Sequence, residues 1–105
     1  MYPAKSERVR WIERKEGAVM LNPKTGLCHK ANEIATIIWQ NCDGTKTIDQ
    51  ISKIIINKYR AERKKITKDV YSIVNYFKRA GLIKLYKSSN RFHLDLNKIK
   101  HGKCK

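Results

Sequence analysis

Apolar and polar positions alternate along the first third of the chain and then shift to a helical period. Val9-Arg-Trp-Ile-Glu-Arg-Lys15 alternates imperfectly and predicts a strand, punctuated by Gly17. Ala18-Val-Met-Leu-Asn22 predicts a second short strand, and Leu27-Cys-His-Lys30 a third. Between these two, Asn22-Pro-Lys-Thr-Gly26 has the composition of a turn, because Pro23 presets φ and Gly26 accepts a positive φ. The opening third therefore predicts a small antiparallel meander, preceded by a flexible, frayed lead-in over residues 1–7.

The period changes after Lys30. Asn32 can cap a helix with apolar positions Ile34, Ile37, Ile38 and Cys42, Trp39 on its flank and Glu33 in its first turn. Cys42-Asp-Gly44 predicts the end of that helix, with Gly44 as a left-handed stop. Thr47-Ile-Asp-Gln50 is a T-x-x-Q capping box opening a second helix, with Ile48, Ile51, Ile54 and Ile55 as its apolar positions, and this helix fades near Tyr59. Residues 60–66 predict a basic connection, and Thr67 the cap of a third helix. Val70, Ile73, Val74 and Phe77 stand at i, i+3, i+4 and i+7 as its buried stripe, closed by Gly81. Leu82–Tyr86 and Arg91–Leu96 predict two strands joined by a turn at Lys87–Asn90, with Phe92, Leu94 and Leu96 on one face. The fold class expected is α+β. It is a winged helix-turn-helix-like domain over residues 8–96, made of a three-stranded antiparallel meander, a three-helix bundle and a C-terminal β-hairpin, with a basic tail over 97–105.

Composition narrows the function classes. The length of 105 residues suits one domain with one modest core. Lys plus Arg number 24 against 9 Asp plus Glu, a formal +15 that attracts polyanions or acidic peptides without saying which. Cys28, Cys42 and Cys104 are an odd set with no CxxC pair, so a disulfide framework is not expected and a cytoplasmic setting is. The N-terminus has no apolar h-region, and no stretch approaches the roughly 20 apolar residues of a membrane span.

Catalytic chemistry is not legible. Cys28-His29 are neighbours on a strand and face opposite sides, and His101-x-x-Cys104 is one lone pair, so no metal site is expected. No nucleophile elbow or phosphate loop occurs, and Glu33, Asp43 and Asp49 already have helix-end roles. The chain reads as a binder with no cofactor.

One binding reading is a winged-helix DNA regulator. Lys68, Ser72, Asn75 and Arg79 lie opposite the buried stripe of the third helix, where they can meet bases and phosphates. Against it, the 60–66 connection exceeds the 3–4-residue turn of a DNA-reading helix pair. Asp69 also falls at the expected helix N-terminus, where phosphate is met.

The second reading comes from a resemblance. Val19 to Trp39, with its Leu-Asn-Pro turn and Asn32-opened helix, resembles the PqqD-like family, as do Asp43-Gly44, Thr47, Ile51, Asp69-Val70 and the stop at Gly81-Leu-Ile83. The order and spacing of these features carry the likeness, over about residues 8–84. The resemblance implies a recognition element that binds the leader of a ribosomally made precursor peptide and presents it to a modifying enzyme, often a radical SAM protein. The leader adds as a strand to the meander edge beside the third helix. Carried onto this chain, the edge strand is Leu27, Cys28, His29 and Lys30. The helix contributes Tyr71, Val74 and Lys78 from one flank, the side favoured here, or Asp69 and Tyr76 from the other. An exposed edge strand also allows pairing with a second copy, so monomer and homodimer both remain open. The C-terminal hairpin and tail depart from the family pattern.

Overall fold

The computed structural model describes residues 1–88. The expected Arg91–Leu96 strand, its turn through Asn90 and the 97–105 tail lie outside the described residues. The elements in order are β1 (Tyr2–Lys5), β2 (Arg10–Arg14), β3 (Gly17–Asn22), β4 (Leu27–Ala31), α1 (Glu33–Gln40), α2 (Ile48–Tyr59), α3 (Arg63–Arg79) and β5 (Ile83–Tyr86). This is a mixed α+β fold with antiparallel sheets.

The meander forms in the order β2-β3-β4, with Met20 opposite both Trp11 and His29. Gly26 takes φ +75 and its amide donates to Asn22 O at 2.8 Å, closing the β3–β4 turn. Residues 2–5 are not a frayed lead-in. They pair antiparallel with β5, Tyr2 opposite Tyr86 and Lys5 opposite Ile83, and Pro3 and Ala4 are buried. Pro3 is tolerated because this two-stranded sheet has only edge strands.

Asn32 caps α1 through its side chain, which accepts from the Ala35 amide at 2.9 Å. The end of α1 differs from expectation. Asn41 is the cap residue, its amide shared between Ile37 O and Ile38 O, and Cys42 lies beyond the helix. Gly44 has the left-handed φ of +81, but its amide donates to Pro3 O at 2.8 Å and so ties the α1–α2 link to β1. The capping box at Thr47 and Gln50 forms in both directions.

The largest correction is at the α2–α3 junction. α2 ends at Tyr59 and α3 begins at Arg63, so the connection is Arg60–Glu62 rather than residues 60–66. Arg60 turns the chain with φ 51, and Glu62 caps α3 without a side-chain hydrogen bond. Thr67 is therefore inside the helix, and burial of Ile66 in the core starts α3 one turn early. At the other end Gly81, φ +73, completes a Schellman motif: Leu82 N–H donates to Phe77 O at 2.9 Å and Gly81 N–H to Lys78 O at 3.0 Å.

The core joins both layers. Trp39, Phe77, Met20, Ile38, Ile51, Ile55, Val70, Val74 and Leu82 are its fully buried side chains of greatest weight. Each large apolar side chain removed from water contributes on the order of 1.5–3 kcal/mol. Trp39 stacks edge-on against Trp11 at 5.4 Å and Phe77 at 5.7 Å between ring centroids, which fixes α3 and the meander to α1. No described helix is long and apolar enough to cross a membrane.

Candidate functional site

β4 is an edge strand, hydrogen-bonded to β3 on one side only among the described residues. Its alternation assigns two faces. Leu27, His29 and Ala31 stand opposite the buried Asn22, Met20 and Ala18 and face the helices. Cys28 and Lys30 stand opposite Leu21 and Val19 on the outer face.

α3 runs antiparallel to β4. Asn22, the register partner of Leu27, donates from Nδ2 to Ala80 O at 2.8 Å at the C-terminal end of α3. His29 meets α3 four residues earlier in that helix, its Nδ1 2.6 Å from the Tyr76 hydroxyl, with the two rings edge-on at 5.6 Å. His29 Nε2 is closed off from solvent and has no hydrogen-bond partner among the described residues. Past Tyr76, a cavity of about 270 Å3 opens between Lys30 and Asn32 on one side and Ser72, Ile73 and Phe77 on the other, with Ala35 in its wall. A wider hollow of about 570 Å3 borders the same end of β4 from the Arg14–Gly17 turn. The smaller cavity lies between edge strand and helix, and the groove is built on it.

The structure brings together only part of the expected set. Leu27, Cys28, His29 and Lys30 form β4 as read, with Leu27 58% exposed. The helix flank is the other one. Tyr71 turns to α2, where its hydroxyl donates to Asp49 Oδ1 at 3.1 Å. Burial and the Asp49 carboxylate both hold that phenol above its ordinary pKa. Val74 is wholly buried core, and Lys78 is exposed on α3. Tyr76, 51% exposed, faces β4 together with Ser72 and Ile73. Sequence reasoning missed Asn32, Ala35, Ser72 and Ile73 as groove residues, and helix periodicity holds no signal for which flank a strand will cover.

Lys68, Ser72, Asn75 and Arg79 are all exposed along α3. The three-residue Arg60–Glu62 link and the place of Asp69 in the second turn of α3 remove both structural objections to a DNA-reading pair. Ser72, however, belongs to the groove against β4.

The charge is largely uncompensated. Lys46–Asp43, at 3.1 Å, is the one salt bridge among the described residues. Glu33, Asp49 and Glu13 instead accept from Tyr59, Tyr71 and Gln40. Burial lowers the Lys5 ammonium below its usual pKa, and its Nζ lies over the rings of Trp11 and Trp39 at 5.5 and 5.3 Å. Among the described residues no group of three or more His, Cys, Asp or Glu is placed to hold a metal ion.

A family model described as coenzyme PQQ synthesis protein D (PqqD) matches residues 17–83. Curated proteins give no match. Among solved structures, TbiB1 in complex with the TbiA(beta) leader peptide is similar with a TM-score of 0.72 and 19% identity, over 81% of this chain and 99% of that one. A lasso peptide synthetase B1 complexed with the leader peptide is similar with a TM-score of 0.71 and 18% identity, over 81% and 100%. The PqqD truncation of Methylobacterium extorquens PqqCD, described as a functional and stand-alone RiPP recognition element, is similar with a TM-score of 0.66 and 20% identity, over 79% and 88%. At these identities the likeness is one of fold.

Proposed function

Because the chain belongs to the PqqD family, we propose that it captures the leader of a ribosomally synthesised precursor peptide by strand addition to β4, without catalysing a reaction itself. The observation that carries this reading is the open edge of β4 lying beside a cavity against α3. An edge strand presents unpaired N–H and C=O groups that any extended chain can satisfy, and the groove beneath discriminates among side chains. Two structures of similar fold are complexes with leader peptides, which supports the same use here. The bound leader is then presented to a modifying enzyme, a radical SAM protein in the reading that the family suggests, in the cytoplasm.

The three-residue link between α2 and α3 fits a helix-turn-helix pair, and β5 has the place of a wing after α3. We read the fold as winged-helix-like on that basis. A role in DNA binding draws nothing from the comparisons.

The test is a titration of the isotope-labelled chain with the synthetic leader of a precursor encoded beside its gene, followed by amide NMR. Leader capture expects shifts and slowed exchange at Leu27–Ala31 and shifts at Ser72, Ile73 and Tyr76. Binding that leaves the β4 amides unmoved would falsify strand addition.

A further inference from the structure

The floor of the groove changes chemistry along its length. An added strand repeats the pleat, so its inward residues stand beside Leu27, His29 and Ala31 at steps of about 6.8 Å. Beside Ala31 an inward side chain meets the cavity bounded by Ala35, Ile73 and Phe77, which is an apolar anchor point. Beside Leu27 it meets a mostly exposed apolar side chain. Beside His29 it meets a polar pair instead.

That pair has hydrogen to spare in either tautomer. If the Tyr76 hydroxyl donates to His29 Nδ1 across their 2.6 Å contact, Nε2 carries an N–H with no acceptor among the described residues. If Nδ1–H donates to the tyrosine oxygen, the half-exposed Tyr76 hydroxyl retains its own hydrogen. Nε2 is closed off from solvent, so a bound peptide reaches the pair through the second arrangement, in which the exposed Tyr76 hydroxyl asks for an acceptor. Lys30, next in β4, and a chain of formal +15 favour an anionic one. Asp69 bears on the same flank of α3 about one turn beyond Ser72 and Ile73, so a carboxylate is repelled from the anchor end and tolerated at His29.

We propose that the groove selects a peptide with a carboxylate side chain beside His29 and Tyr76, two positions from an apolar anchor seated beside Ala31. This deepens the leader-capture reading and rests on it. His29 and Tyr76 are specificity residues here. Backbone pairing supplies strand addition, the cavity supplies the anchor, and the His29–Tyr76 pair fixes which register the strand adopts.

The experiment is selection of a phage-displayed library of random 12-residue peptides against the full chain. The proposal expects selected peptides to share an apolar residue, with Asp or Glu enriched about tenfold two positions away, the factor that one charge-assisted hydrogen bond supplies. Selection against His29→Phe and against Tyr76→Phe should keep the apolar residue and lose the acidic preference. Tyr76→Phe removes only a hydroxyl from an exposed ring, so it keeps the test valid if the strand variant folds poorly. Binders with the apolar residue but no acidic partner, or with an acidic preference untouched in both variants, overturn the proposal and leave leader capture standing. A library that yields no binder shifting the β4 amides overturns both.

Discussion

Cys28 and Cys42 are both free thiols, yet burial separates their chemistry. Cys42 is 0% exposed, and desolvation pushes its thiol up to about 12 against a smaller opposing pull from Lys5. Its Sγ donates to Ile38 O at 3.1 Å. Cys28 lies exposed on the outer face of β4. A thiolate is the reactive form, so at pH 8 the buried Cys42 should stay unreactive while a reagent has access to the exposed Cys28. In a Cys104→Ser variant a thiol reagent should titrate one group in the folded protein and a second only in guanidinium. Two groups titrating under native conditions would show that the core around Cys42 opens. Single residues were unevenly legible. Asn32 and Gly26 announced their caps and turns because their backbone demands are local. The choice between Tyr71 and Tyr76 was not, because both are exposed aromatic positions on one amphipathic helix. Only the packing of Val70, Val74 and Phe77 against α1 and α2 sets the rotation that sends Tyr71 to Asp49 and Tyr76 to His29.

Elements were legible where their ends carry chemistry. The Thr47–Gln50 box and the Gly81 stop are local motifs, and both formed as read. The start of α3 is the counterexample. Arg63, Lys64 and Lys65 oppose the helix dipole and Glu62 offers no side-chain cap, whereas Thr67 imitates one. Tertiary burial of Ile66 overrides those local signals. β1 was illegible for a related reason: its strand partner β5 lies some eighty residues along the chain, its other contact is the α1–α2 link at Asp43, and four residues carry no period. The position of β4 has its own sequence requirement at Gly17. A Cβ there would collide with the backbone oxygen of Ala31. Gly17→Ala should push β4 from β3 just where the strand hands over to α1. The expected cost exceeds about 1 kcal/mol in thermal or urea unfolding, with weaker peptide binding at the β4 edge. Gly26→Ala is the contrast, since its Cβ would meet open space and only the φ of +75 is strained. It should cost roughly 1–2 kcal/mol while leaving peptide affinity in place. Equal affinity losses in the two variants would refute the placement of the site on β4.

At the scale of the whole molecule, the exposed cations among the described residues are spread over several elements. Arg10 and Arg14 lie on the meander, Lys53 on α2, Lys64 and Lys68 on α3, and Lys84 on β5, all exposed. A footprint for nucleic acid would concentrate such residues along one face. A distributed field instead acts at range, drawing an acidic chain toward the protein before any contact forms. Its signature is kinetic. Raising salt shortens the Debye length from about 30 Å at 0.01 M to about 8 Å at 0.15 M, which screens approach and leaves short contacts in the groove nearly intact. For an acidic peptide that binds the β4 edge, stopped-flow association should therefore slow by about tenfold across that range, while dissociation changes little. Replacing Lys53 and Lys64, neither of which lines the β4–α3 cavity, with Glu should reduce the association rate and its salt dependence together. If salt acted on dissociation instead, the cations would be contacts rather than a field, and the peptide would be bound along the lysines and not in the groove.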